Sequence, residues 1–224
     1  PTGDGLALGS YVRGSHQGAR MDGCLVDHPR LAALAERIER LCNSLAIEPY
    51  RESNGQGDLR YVWLKTDGES ELVTLVTAGE VSRAAELLPA QLRDVAGLAW
   101  SVQAGAGNAL RGRAPRLLSG CAELRPEMAG VVCEVGPLGF LQPNPEVASL
   151  AWQRLTGEVP GGALAFDLYA GGGVTTALLR QRFSRVVPCE AYPESAVRLG
   201  VAPSTAKDFL SARLEQPERP DLVV

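Results

Sequence analysis

The sequence predicts two architectures in one chain, α+β and α/β: a mixed α+β unit with an antiparallel sheet, then a unit whose sheet is parallel and doubly wound. Two observations carry this expectation. Residues 59–66 and 71–77 are β-rich runs flanking the turn pair Asp67-Gly68, the pattern of a hairpin. Residues 163–190 read as strand, glycine turn, helix and strand, the opening of a parallel sheet.

The remaining elements follow in order. Leu31, Leu34, Ile38, Leu41, Cys42 and Leu45 recur at three- and four-residue spacing, with Glu36, Arg37, Glu39 and Arg40 between them. That period makes 31–45 an amphipathic helix, and Pro49 closes the unit. A short helix over 81–88 and strands near 97–104, 116–119 and 131–135 complete an α+β domain spanning 1–138. From Asn144 the pattern changes. Asn144 is suited to cap a helix over 145–155, and Pro145 fits the first helical position. An apolar strand over 163–169, a helix over 174–182, a strand over 185–189 and short helices at 193–199 and 209–214 follow. A last strand begins at 221–224, so 139–224 reads as a second domain, Rossmann-like and incomplete.

Composition narrows the function classes. The chain has 224 residues, 45% of them hydrophobic, enough for a real core. A formal net charge of −4 argues against a stand-alone nucleic-acid binder, which needs a basic excess to neutralise phosphates. Arg111, Arg113 and Arg116 form a small basic cluster, better read as a solvated face than as a phosphate contact. Five scattered cysteines with no CxxC pair fit reduced intracellular thiols. No apolar run approaches the roughly 20 residues that cross a bilayer, and no signal peptide is visible. A cytoplasmic monomer is expected. His16 and His28 stand alone in loop-like sequence and read as surface residues. The opening Pro1-Thr2-Gly3-Asp4-Gly5 is loop-like, and the closing Pro220-Asp221-Leu222-Val223-Val224 resembles a core strand just beginning, so the sequence reads as a fragment.

The chemistry centres on the glycine turn. Glycine after a first strand lets the backbone approach a ligand that any Cβ would meet. An acidic residue ending the second strand can accept from two ribose hydroxyls, and Glu190 lies 19 residues after Gly171. Nicotinamide dinucleotides and S-adenosylmethionine both use this arrangement. A dinucleotide fingerprint requires G-x-G-x-x-G, but Thr176 occupies the third glycine place. An acidic residue four places before the first glycine, here Asp167, is instead typical of methyltransferases, where it can meet the methionine amino group directly or through water.

Gly139-Phe140-Leu141-Gln142-Pro143-Asn144-Pro145-Glu146-Val147-Ala148 precedes Asp167-Leu168-Tyr169-Ala170-Gly171-Gly172-Gly173. The combination resembles the RNA uracil-5-methyltransferase family, in which an F-x-Q-x-N segment leads a helix into a D-L-F-C-G-x-G turn. Gly107-Asn108, Gly120, the hairpin from Asp58 and Asp22-Gly23-Cys24-Leu25 extend the likeness over nearly the whole chain. It implies that the first domain presents RNA and that the second binds S-adenosylmethionine. Gln142 would contact cofactor and target pocket, Tyr169 would line the adenosine or methionine site, and Gly171 would admit the backbone. Glu190 would hold the ribose, and Asp208 would meet the adenine edge. The plainer alternatives are a strand-end cap for Gln142, a core aromatic for Tyr169 and a helix N-cap for Asp208. Ala170 replaces the family's cysteine in the turn, Val174 stands where a polar side chain often touches the cofactor, and the stretch from Glu190 to Asp208 is shorter than the family's.

The implied reaction is methylation of carbon 5 of a uridine. Carbon 5 becomes nucleophilic once a cysteine thiolate has added at carbon 6, and a base later removes the carbon 5 proton. The target base must leave its stack to be reached. In the family that cysteine and base lie beyond a strand resembling 221–224, so no catalytic residue is expected within this sequence. Cys121, Cys133 and Cys189 read as ordinary core thiols. Cys24 resembles the fourth ligand of an iron–sulfur cluster in the rRNA-modifying branch, with Leu25 in place of its proline. A 4Fe–4S cluster in the complete protein and an rRNA substrate, rather than tRNA, would follow; an unpaired buried thiol is the alternative. Two rival functions remain: a non-catalytic RNA-binding or ribosome-assembly module on the same fold, and a nicotinamide-dependent oxidoreductase.

Overall fold

A computed structural model describes residues 5–15, 18–107 and 109–224; His16 and Asn108 lie outside the described residues. The chain forms two compact units, residues 1–124 and 125–224. Residues 125–138, which the sequence pattern joins to the first unit, pack in the second. Met128, Cys133 and Val135 share one core with Leu141, Val174 and Leu178.

In the first unit, β1 (Gly9–Tyr11) and β2 (Gly18–Arg20) form a small antiparallel pair. Helix α1 (Pro29–Ser44) buries Leu31, Leu34, Ile38 and Cys42, the stripe its periodicity foretells. His28 is its N-cap, with the imidazole accepting from the Arg30 amide, so this histidine has a structural task that its loop-like context hid. Strands β3 (Leu59–Thr66) and β4 (Glu71–Thr77) make the expected hairpin. Helix α2 (Arg83–Gln91) starts later than the apolar pattern suggests. Ser82 caps it by accepting from the Ala85 amide, which leaves Val81 outside and almost fully exposed. Strands β5 (Gly97–Val102) and β6 (Arg116–Gly120) complete a sheet of order β3-β4-β5-β6.

That sheet is mixed rather than wholly antiparallel. β4 and β5 run parallel because α2 intervenes as a crossover, while the outer pairs are antiparallel. Leu34, Ile38 and Cys42 of α1, Ala84 and Leu88 of α2, and Val73, Leu75 and Leu98 of the sheet form one core. Burial pushes the Cys42 thiol up to about 12. Cys121, expected in a core, is exposed just past β6, and Cys24 is half-buried. The basic cluster is partly paired: Arg113 and Arg116 share Glu80, at 3.4 and 2.8 Å, and Arg111 lies over the Trp63 ring.

The second unit opens with a two-residue hairpin, β7 (Glu127–Met128) and β8 (Val131–Val132), shorter than the strand expected there. Helix α3 (Pro145–Glu158) begins as foreseen, with Asn144 accepting from the Val147 amide. Then come β9 (Gly162–Leu168), α4 (Val174–Leu179), β10 (Phe183–Cys189), α5 (Pro193–Arg198), α6 (Ala206–Leu214) and β11 (Leu222–Val223). All three strands are parallel, in the order β10-β9-β11. Successive strands therefore fall on opposite sides of β9, the doubly wound arrangement, and ligands of such sheets bind outside the carboxyl ends at this reversal. Asp221 fixes the entry of β11 by accepting from the Ala163 and Leu164 amides, which holds its carboxyl below the usual range. Phe209 of α6 meets Phe166 of β9 edge to face, 5.2 Å between ring centres. Among the described residues no helix is long and apolar enough to cross a membrane.

Leu75 is wholly buried in the first core. Leu75→Ala is expected to lower the unfolding free energy by about 2–5 kcal/mol, seen as a lower urea midpoint. A change below about 0.5 kcal/mol, the size of an ordinary surface substitution, would contradict this packing.

Candidate functional site

At the carboxyl ends of β9 and β11 the second unit holds a cavity of about 240 Å³. Its walls are Met128, Cys133, Val135, Phe140, Leu141 and Trp152 on the apolar side. Gln142, Asp167, Tyr169, Gly171, Gly172, Thr175 and Val224 also line it. The switch point of the sheet and the cavity coincide.

The turn after β9 is built from left-handed backbone. Tyr169, Gly171 and Gly173 have φ of 57°, 55° and 83°. For Gly171 and Gly173 this costs nothing steric, whereas a tyrosine there carries strain of about 1–2 kcal/mol. The strain sits at the mouth of a cavity, where such residues concentrate. Tyr169 is 78% exposed, so it is not a core aromatic. Hydrogen bonds hold the turn closed: the Ala170 amide donates to Cys189 O and the Gly173 amide to Ala170 O. A Cβ on Gly171 would meet only Tyr169 O, at 3.8 Å, so the space beside this residue is open. A Cβ on Gly172 would press on Cys133, and one on Gly173 would come within 2.8 Å of Leu199.

Glu190, just past β10, is the clamp of the turn. One carboxylate oxygen accepts from the Gly171 amide at 2.8 Å and the other from the Tyr192 amide at 2.7 Å. A carboxylate offers about four acceptor sites, so both oxygens keep capacity for further donors.

Asp167 is the buried charge of the site, 1% exposed. The Thr175 hydroxyl lies 3.0 Å from each of its oxygens, and the Thr176 hydroxyl donates to Oδ2. Burial pushes this carboxyl above its usual range, against the lowering effect of the Thr176 and Thr175 hydrogen bonds; nearby Glu190 adds to the rise. Cys133 is a buried thiol of the cavity wall, raised to about 11 by desolvation, and so a poor nucleophile as it stands.

The sequence-derived residues separate into two groups. Gln142, Tyr169 and Gly171 line the cavity, and Glu190 binds its turn from outside the wall. Asp208 does not join them. It sits exposed in the first turn of α6, where Thr205 is the cap: the Thr205 hydroxyl donates to the Asp208 carboxylate and accepts from its amide. Around Cys24 no metal-binding group forms; among the described residues no three His, Cys, Asp or Glu side chains gather. Thr175 is not among the residues the sequence singles out. The resemblance points to a polar side chain at 174, but Val174 is buried in the core and the next residue carries the hydroxyl to Asp167. The signal was the Thr175-Thr176 pair directly after the glycines.

No family model matches the chain. An uncharacterized RNA methyltransferase of Bacillus cereus is 24% identical over 199 residues, covering 85% of this chain and 43% of that protein. Others from Nostoc and Thermosynechococcus vestitus are 26% and 27% identical over 198 residues, again 85% of this chain and 43% and 44% of theirs. The chain thus spans less than half the length of the curated relatives it matches, and it is distantly similar to RNA methyltransferases. Among solved structures, the tRNA (uracil-54, C5)-methyltransferase of Pyrococcus abyssi, in complex with S-adenosyl-L-homocysteine, aligns with a TM-score of 0.62 and 20% identity. The alignment covers 92% of this chain and 49% of that one. The mixed α/β fold is therefore shared with an S-adenosylmethionine-dependent methyltransferase.

Gly173→Ala places a Cβ in left-handed backbone and against Leu199. A loss of roughly 1–2 kcal/mol is expected, read as a lower thermal midpoint, with Gly18→Ala, where a Cβ meets nothing within 4 Å, as the neutral comparison. Equal midpoints for the two variants would show that the turn is not held as described.

Proposed function

We propose that this chain serves S-adenosylmethionine-dependent methylation of RNA, at carbon 5 of a uridine. The single observation that carries the proposal is the meeting of Asp167, the open Gly171 backbone and Glu190 at the switch point of a parallel sheet. The residues fit the cofactor by charge and space. Asp167 presents a buried carboxylate to the cavity, the complement of a methionine ammonium group. Gly171 leaves open the room that a side chain would fill, and Glu190 has free acceptor capacity for ribose hydroxyls while it holds the turn. The apolar wall of Phe140, Leu141 and Trp152 suits the uncharged surface of a nucleoside, and Gln142 adds an amide at its edge.

When bound, the cofactor supplies an electrophilic methyl group on sulfur. The protein's own part is to bind, orient and keep water from that group. The distant likeness to RNA methyltransferases supports RNA as the partner, with the first unit presenting it. Cys24 and its surrounding sequence support the finer reading, a cluster-bearing enzyme acting on rRNA; a colourless, iron-free protein after anaerobic purification would end that part alone. Asp208 is outside the cavity lining and paired with Thr205, so the adenine-edge role is the least supported part of this reading.

Glu190→Ala deletes the clamp and the ribose acceptor together. It is expected to weaken S-adenosylhomocysteine binding by about ten- to a hundredfold, the 1.5–3 kcal/mol of hydrogen bonds to a charged group. Isothermal titration calorimetry reads this directly. Unchanged affinity would remove the support for this site, and tighter binding of NADH than of S-adenosylhomocysteine would favour an oxidoreductase.

A further inference from the structure

We infer that Thr175, together with Thr176, is a positioning residue: the two hydroxyls fix the Asp167 carboxylate as a charged, oriented acceptor for the ammonium group of an amino-acid-bearing nucleoside. The inference rests on the cofactor reading above and adds what makes the carboxylate usable. A buried aspartate facing an apolar cavity can present its charge in many torsional settings, and burial alone favours the neutral acid. Here the rotation is fixed from the first turn of α4. Thr175 Oγ1 stands 3.0 Å from both oxygens and can donate to either, and Thr176 Oγ1 donates to Oδ2 from the buried side. Both oxygens thereby have donors on the helix side, and Asp167 and Thr175 both face the cavity. A hydroxyl that donates to a carboxylate stabilises its charged form, opposing the burial.

The titratable groups that feel Asp167 are Glu190 and Cys189, both at the end of β10. Glu190 disfavours the Asp167 charge, so the threonine hydroxyls work against both burial and a like charge. The sign follows. Asp167 holds an ammonium only when ionised, so that part of binding is present above its pKa and lost as pH falls through it. Removing a hydroxyl leaves burial and Glu190 less opposed, and the loss then begins at higher pH.

The test compares two probes on the full chain. S-adenosylhomocysteine carries the amino-acid group; 5′-methylthioadenosine shares the nucleoside and lacks it. In the wild type, the affinity ratio of the two should fall as pH is lowered from about 8 to about 4. Thr175→Val, nearly isosteric, should move the midpoint of that fall upward by about one pH unit, the size of one hydrogen bond to a charged group. Binding of 5′-methylthioadenosine should stay unchanged, and Thr175→Ser should restore the wild-type profile. A thermal melt at neutral pH confirms that Thr175→Val is folded; Thr175→Ala, also lacking the hydroxyl, repeats the measurement if it is not. Equal weakening of both probes at every pH overturns the inference in favour of a structural role, and so does an unmoved midpoint. Failure of the wild type to bind either probe overturns the cofactor reading itself, and the inference with it.

Discussion

The second unit is organised by one constraint: β9 is hydrogen-bonded along both edges to parallel neighbours. Its backbone is satisfied by β10 on one side and β11 on the other, up to the Leu168 amide, which donates to Val224 O. A strand so placed is buried on its flanks, and residues 164–167 are buried. Asp167 therefore enters a low-dielectric setting because of where the strand lies. The same pairing fixes the crevice: consecutive strands diverge from β9, and the space beyond its carboxyl end is left without a crossing connection.

Beyond Leu168 the chain must reverse into α4 within a few residues, and the backbone reaches left-handed geometry at three of the next five positions. Two are glycines and one is Tyr169, whose strain needs a counterweight. The amides of Ala170 and Gly173, and the Glu190 carboxylate on Gly171, supply it. Glu190 thus couples the second strand to the turn of the first. An acidic residue at this place is therefore constrained by the two backbone amides it accepts from. The neighbouring glycines also differ in kind. A Cβ on Gly172 would crowd Cys133 at 3.3 Å and one on Gly173 would meet Leu199 at 2.8 Å, whereas Gly171 adjoins open space. Its φ of 55° already favours glycine, and the open space beside it is a separate feature of the cavity wall.

Much of this was legible in the sequence, for identifiable reasons. The 31–45 stripe, the Asp67-Gly68 hairpin and the Asn144-Pro145 helix start are local signals, and local physics decided them. The parallel pairing of β4 and β5 was not legible, because strand direction depends on where α2 carries the chain. The fate of Asp208 was hidden for a related reason. Its place relative to the cavity depends on the route of residues 193–205, and Thr205 captures it as a capping partner. Thr175 was not legible because the rotation of α4 buries Val174 and presents the next side chain to Asp167. The five cysteines show the limit of composition: Cys42, Cys133 and Cys189 are buried, Cys121 is exposed and Cys24 is between.

Charge bears on how such a chain would engage RNA. Its net charge is −4, and many of its arginines already face carboxylates: Arg113 and Arg116 on Glu80, Arg30 on Glu71, Arg37 on Asp94, Arg185 on Glu218 and Arg198 on Glu194. A phosphate drawn to one of these must displace a carboxylate partner. The exchange releases little net free energy, since exposed pairs are themselves worth only about 0–1 kcal/mol. Recognition through these residues would therefore rest on shape and on the flipped base more than on bulk attraction. Under the proposed reading, selectivity for a target nucleoside would come from local fit rather than from this chain's overall charge.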